Sequence, residues 1–139
     1  MRFGELLSSL LINLQSLFKN NIILKGMSFP KAIALLIIPL DGIEMSILSR
    51  KLGVDNSTTT RLIIGMENNG LVERIISDKD KRISRVFLTS KGDIVHKEIE
   101  IQINIISQDL NGEMQHLDMQ NLINVLTELN WAILKKNFN

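Results

Sequence analysis

At Gly70 the spacing of apolar residues changes, and that change constrains the fold more than any other feature of the chain. Before it, apolar residues recur every three or four positions. After it come two β-branched runs of strand length, LVERIIS (71–77) and ISRVFLT (83–89), separated only by the charged DKDKR. Such runs, bounded by polar clusters, predict a hairpin, here with a solvated and mostly basic tip. Two short helical segments precede it. The first spans about Met45 to Leu52, with Ile47, Leu48 and Leu52 expected inward. Gly53 ends it, because glycine just past the last apolar position adopts the left-handed cap without strain. The second opens at Asp55, a favoured N-cap residue. It runs from Asn56 to about Asn69, with Leu62, Ile63 and Met66 towards the core, and Gly70 closes it.

A pair of short helices on a glycine turn, followed directly by a charged hairpin, makes a winged helix-turn-helix. Its flanks are helical. Leu6, Leu7, Leu10, Leu11, Leu14, Leu17 and Phe18 repeat at intervals of three and four, which predicts an amphipathic helix over about 2–19. Asn20 and Asn21 interrupt it. Ser28-Phe29-Pro30 supplies a capping serine and a helix-starting proline for a buried helix through Ala32 to Ile38, and Pro39 to Gly42 is a turn. Beyond the hairpin, Thr89 can cap a helix whose stripe is Val95, Ile99, Ile106 and Leu110, with Ile101 and Ile105 beside it. Asn111-Gly112 is expected to break that helix. A final one carries Leu122, Leu126, Leu129 and Ile133, with Trp131, Leu134 and Phe138 nearby. The expected fold is mainly α with a small β-hairpin wing: one domain, its winged helix at about 28–90, flanked by helices at about 1–20 and 90–139.

With 45% apolar and 22% charged residues, the composition is that of a foldable soluble protein. There is no cysteine, which excludes disulfides, thiol catalysis, thiol redox sensing and cysteine-based zinc sites. The longest apolar run, Ala32 to Leu40, has nine residues and contains Pro39, too short to span a bilayer. The leucine-rich start lacks a small-x-small cleavage site and carries Glu5 early, so it is expected to be a mature helix of a cytoplasmic protein. No phosphate loop, nucleophile elbow or pair of catalytic carboxylates occurs, and neither enzymatic activity nor a cofactor is expected. Asp93, His96 and Glu100 share one helical face and could supply part of a metal site. A solvated helix face explains them more simply, and no metal is expected. The net charge is only +1, but nine basic and five acidic residues fall between Ser49 and Lys91, leaving seven and ten elsewhere. A basic middle between slightly acidic ends suits a segment that meets nucleic acid.

VDNSTTTRLI (54–63) sharpens that reading, because it sets four consecutive hydroxyls, Ser57 to Thr60, at the start of the second short helix. Thr and Ser are mediocre helix formers, and one capping residue would suffice for the helix end. In a helix-turn-helix, however, the N-terminal residues of the second helix reach base edges in the major groove. A hydroxyl donates and accepts, so it serves phosphates and either kind of base edge, and a Thr methyl can touch a thymine methyl. Arg61 adds a charge-assisted contact to phosphate or a bidentate one to guanine.

The stretch LSRKLGVDNSTTTRLIIGMENNGLVERIISDKDKRISRVFLTSKG resembles the central segment of MarR-type transcriptional regulators. The matching features are the LGV-x-x-S-T-x-T-R-L helix, the G-L-V-x-R exit to the wing, and a D-x-R…L-T-x-x-G signature at Asp80, Arg82, Leu88, Thr89 and Gly92. The resemblance implies a homodimer with interlocking terminal helices that represses transcription by binding double-stranded DNA at a pseudo-palindromic operator, in response to a small-molecule effector. It places Ser57, Thr58, Thr60 and Arg61 in the major groove. It puts Arg82 in the minor groove, steadied by Asp80. Together with the charged positions around them, the expected DNA-binding set is Asn56, Ser57, Thr58, Thr60, Arg61, Arg74, Lys79, Asp80, Lys81 and Arg82. An effector pocket bordered by Met27 and Phe29, between the dimer arm and the winged helix, is implied as well. Two positions depart from the pattern. Gly65 stands where a basic or polar residue is common, and Lys81 where arginine is. A winged-helix protein-interaction module without DNA affinity is the alternative reading.

Overall fold

The computed structural model describes every residue except Ile23, Lys25 and Asn139. In chain order the elements are α1 (Phe3–Asn21), α2 (Phe29–Ile37), β1 (Ile43–Glu44), α3 (Met45–Leu52), α4 (Asn56–Asn68), β2 (Val72–Ile76), β3 (Ser84–Leu88), α5 (Ser90–Glu113) and α6 (Met119–Phe138). The chain divides into two compact units, Met1–Ile103 and Asn104–Asn139.

In the first unit, one core gathers the inward faces of α2, α3, α4, the sheet and the start of α5. Leu35, Ile38, Leu48, Ile63, Met66, Val86 and Ile99 are all essentially inaccessible to solvent there. Ser28 begins α2 as its spacing predicts, its hydroxyl accepting from the Lys31 amide at 3.4 Å. β2 and β3 pair antiparallel, from Val72 opposite Leu88 to Ile76 opposite Ser84. A third strand, β1, lies on the other side of β3 with Ile43 opposite Val86. Its two residues are too few to show alternation in the sequence.

Two further expectations need correction. Ile47 is 37% exposed rather than inward, and Ser49 takes the interior place on α3. Burial suits Ser49 because its hydroxyl has partners, the Met45 carbonyl at 3.1 Å and Thr59 Oγ1 at 2.7 Å. Asn111-Gly112 does not break α5, which continues to Glu113. A glycine within a helix costs only about 1 kcal/mol against alanine, too little to end a helix of 24 residues. Leu110 is correspondingly more exposed, at 38%, than its place on the predicted stripe suggests.

The junction between hairpin and α5 is tightly built. The Thr89 amide donates to the Leu71 carbonyl at 3.0 Å, and the Thr89 hydroxyl donates to the Gly70 carbonyl at 2.6 Å. The same hydroxyl accepts from the Gly92 amide at 3.0 Å, capping α5. Gly92 then lies directly against the Leu71 carbonyl, where a β-carbon would have no room.

Candidate nucleic-acid interface

The turn before α4 fixes where its hydroxyls point. Gly53 takes the left-handed conformation, φ 70°, and its amide reaches back to the Ser49 carbonyl at 2.9 Å. Asp55 then caps α4, Oδ1 accepting from the Thr58 amide at 2.7 Å. Hydrogen bonds from Thr58, with a smaller pull from Arg61, hold the Asp55 carboxyl below the usual carboxylate range. With 100° between successive helical residues, four neighbouring hydroxyls cannot share one face. Thr59 points inward, fully buried, and its hydroxyl joins Ser49 and the Asp55 carbonyl. Ser57 and Arg61 stand on the open face, opposite the buried Thr59, Ile63 and Met66. Thr58 and Thr60 are half-buried on its two flanks.

On the Thr60 flank lies a polar hollow of about 230 Å³. Asn56 and Thr60 of α4, Met45, Ser46 and Ser49 of α3, and Arg74, Arg82 and Ser84 of the hairpin line it. The two arginines are held by different carboxylates. Arg74 Nε pairs with Glu67 of α4 at 2.8 Å. Arg82 grips Asp80 with two parallel bonds, Nε to Oδ1 and Nη2 to Oδ2, both 3.1 Å, while its side chain stays 90% exposed. That grip, with the Arg82 amide also donating, holds the Asp80 carboxyl below its ordinary range. Lys79 and Lys81 are exposed on the same hairpin tip. Cations of the wing and hydroxyls of α4 therefore border one surface, on which a polyanion meets positive charge and hydrogen-bonding groups together.

On the other flank Thr58 faces an apolar pocket of about 300 Å³, lined with Phe29, Pro30, Ile33, Leu52, Val54 and Leu62. Phe29 borders this pocket, which α2, α3 and α4 form without the N-terminal arm. Met27 does not line it and packs, half-buried, against the core instead. Asp93, His96 and Glu100 do not converge on a common point. Asp93 pairs with Lys97 at 3.0 Å, while the His96 ring meets the Leu35 carbonyl at 2.7 Å and Glu100 at 2.9 Å.

Several residues of this surface were not legible in the sequence. Ser46 and Ser84 enter the hollow only through folding. Lys31 comes from α2 to lie over Gly65, Nζ donating to Asn69 Oδ1 at 3.1 Å, so a cation does border the position where the chain itself has glycine. Arg85 and Lys91, counted among the basic residues of this segment, instead hold backbone carbonyls, those of Asp41 and Gly42 and that of Asn69. A β-carbon at Gly65 would meet Lys31 Cε at 3.5 Å, an ordinary contact. Gly65→Ala is therefore expected to stabilise the fold, by up to about 1 kcal/mol, read as a raised urea midpoint at unchanged slope.

Two helices on a glycine turn, packed under a three-stranded sheet with an arginine-bearing hairpin, define a winged helix-turn-helix protein. Residues 37–84, from the end of α2 to the first residue of β3, match the model of the MarR family. The winged helix of this chain is thus similar to that of the MarR family over those residues, and the chain as a whole has the fold of the solved structures that it resembles. Among solved structures it is similar to the Multiple Antibiotic Resistance Repressor, MarR, at 21% identity and TM-score 0.81, covering 93% of this chain and 95% of that one. It is similar to Streptococcus pneumoniae FabT in complex with DNA, at 20% identity and TM-score 0.74, covering 99% and 98%. A third likeness is to the PcaV transcriptional regulator from Streptomyces coelicolor in complex with its natural ligand, at 21% identity and TM-score 0.69, covering 93% and 89%. Among the described residues no helix is long and apolar enough to cross a membrane.

Proposed function

We propose that this protein is a sequence-specific, double-stranded DNA-binding transcriptional regulator, a ligand-responsive repressor that binds a pseudo-palindromic operator as a homodimer. The observation that carries the reading is the shared surface of α4 and the wing. Ser57 and Arg61 stand on the open face of a capped helix, and Asn56, Thr60, Arg74 and Arg82 meet in the hollow beside it. In this reading α4 enters the major groove, and Lys79, Lys81 and Arg82 follow the backbone into the adjacent minor groove. FabT, a protein of the same fold, is described in complex with DNA.

The dimer is supported by the terminal helices. Leu6, Leu10, Leu11 and Leu14 on α1, and Ile123, Leu126, Ile133 and Leu134 on α6, are between 39% and 67% exposed in the single chain. Contiguous apolar faces of that kind mark surfaces that meet a partner. Ligand response is supported by the apolar pocket at Phe29, since it is shared with Thr58 on α4. A molecule seated there would press on the first turn of the reading helix.

Binding of the purified chain to duplex DNA, followed over a salt series, tests the reading. If about six phosphates are neutralised, log K should fall against log salt with a slope near −5. Absence of duplex binding at low salt, with a stable protein complex instead, would make this a winged-helix interaction module.

A further inference from the structure

The open face of α4 runs as a ridge through Ser57, Arg61, Ile64 and Asn68, at spacings of four, three and four residues, opposite the buried Thr59, Ile63 and Met66. Ser57, Arg61 and Asn68 offer polar groups to whatever this face meets. Ile64 does not, and it is 41% exposed. Its chain neighbour Gly65 has no side chain to screen it. Nothing local favours isoleucine there, because a β-branched side chain loses χ1 freedom in a helix.

We infer that Ile64 is a specificity-determining residue that reads the C5-methyl group of a thymine in the major groove. The inference rests on the DNA-binding reading above and names one element of the sequence it recognises. In the major groove thymine alone carries a methyl group, and the other bases are distinguished there by their donors and acceptors. Isoleucine placed against guanine or cytosine would cover polar groups without pairing them, which is unfavourable. Placed against thymine, it removes apolar surface of both partners from water. A rise of 1.5 Å per residue sets Ile64 about 4.5 Å along the helix from Arg61. The thymine should therefore lie within one or two base pairs of the base or phosphate that Arg61 reaches. Thr58 and Thr60 also carry methyl groups, but they stand half-buried on the flanks of α4 and not on its ridge.

The test uses the full chain and a duplex selected by it from random DNA. Each thymine is replaced singly by deoxyuridine, which removes the methyl and leaves every hydrogen-bonding group. The wild type should bind about four-fold more weakly for one uracil at one symmetry-related thymine position, the effect of roughly one buried methylene. Ile64→Ala should bind the thymine and uracil duplexes equally at that position while keeping any methyl preference elsewhere. Ile64→Val should keep a reduced preference. Melting curves of both variants should match wild type, which separates a lost contact from a lost fold. The inference is overturned if no uracil substitution weakens the wild type, or if the penalty persists in Ile64→Ala and so belongs to a threonine. If no duplex is selected at all, the DNA-binding reading falls, and this inference with it. A selected but methyl-indifferent duplex overturns the role of Ile64 alone.

Discussion

Gly92→Ala is expected to destabilise the native fold by about 3 kcal/mol or more, at the upper end of what overpacking costs. The new β-carbon would run into the Leu71 carbonyl, which already accepts from the Thr89 amide, and would crowd the Leu88 side chain at 3.4 Å. The Leu88 side chain can adjust, but the Leu71 carbonyl is backbone and cannot give way cheaply. Leu71 is buried at the exit from α4, and Leu88 ends the strand that carries the sheet. A free energy of this size is a large part of the 5–15 kcal/mol that typically holds a domain together. The measurement is the urea midpoint followed by circular dichroism. Gly112→Ala in the same helix serves as control, because among the described residues nothing lies within 4 Å of its β-carbon position. That variant should be neutral or slightly stabilised. Equal midpoints for Gly92→Ala and wild type would mean that α5 does not start hard against the hairpin.

That junction also illustrates what a sequence can and cannot disclose. Thr89 and Gly92 stand out as part of a spaced signature, and Thr89 is a recognisable cap, but the reason for the glycine is the Leu71 carbonyl twenty-one residues earlier in the chain. Features set by neighbours in sequence were legible: the glycine that ends α3, the Asp55 cap, the change of period after Gly70, and the hairpin. Features set by distant partners were not. β1 exists because β3 offers it an edge. Ser49 is buried because Thr59, ten residues later, completes its hydrogen bonds. The four hydroxyls of 57–60 were legible as a group, whereas their division into a core-facing Thr59, an open Ser57 and two flanking threonines required the position of the core. Lys31 over Gly65 gives no local signal at all.

The largest expected effects on binding separate the α4 ridge from the wing. Arg61→Ala should weaken binding by about 1–3 kcal/mol, the range for one lost specific contact, and should change which operator base pairs matter. Its guanidinium is tied only lightly in the free protein, donating to Thr58 Oγ1 at 3.4 Å, so it can turn to a base or to the adjacent backbone. Arg82 is different, because both of its bonds to Asp80 fix the guanidinium at the hairpin tip while the side chain stays exposed. In the proposed reading such a tip meets the minor groove, whose negative potential is strongest along narrow A·T tracts. Arg82→Ala should therefore lower affinity chiefly for operators with A·T-rich flanks, and the preference for the core sequence should survive. Asp80→Ala should reproduce part of that loss, because an arginine released from its carboxylate must be ordered again on binding. Folding stability should change by no more than ~0.5 kcal/mol in Arg61→Ala and Arg82→Ala, as is usual for exposed positions. Binding isotherms on duplexes that differ only in their flanks carry the comparison. If Arg82→Ala binds every flank as the wild type does, the wing does not read DNA, and the protein-interaction reading of the fold becomes the stronger one.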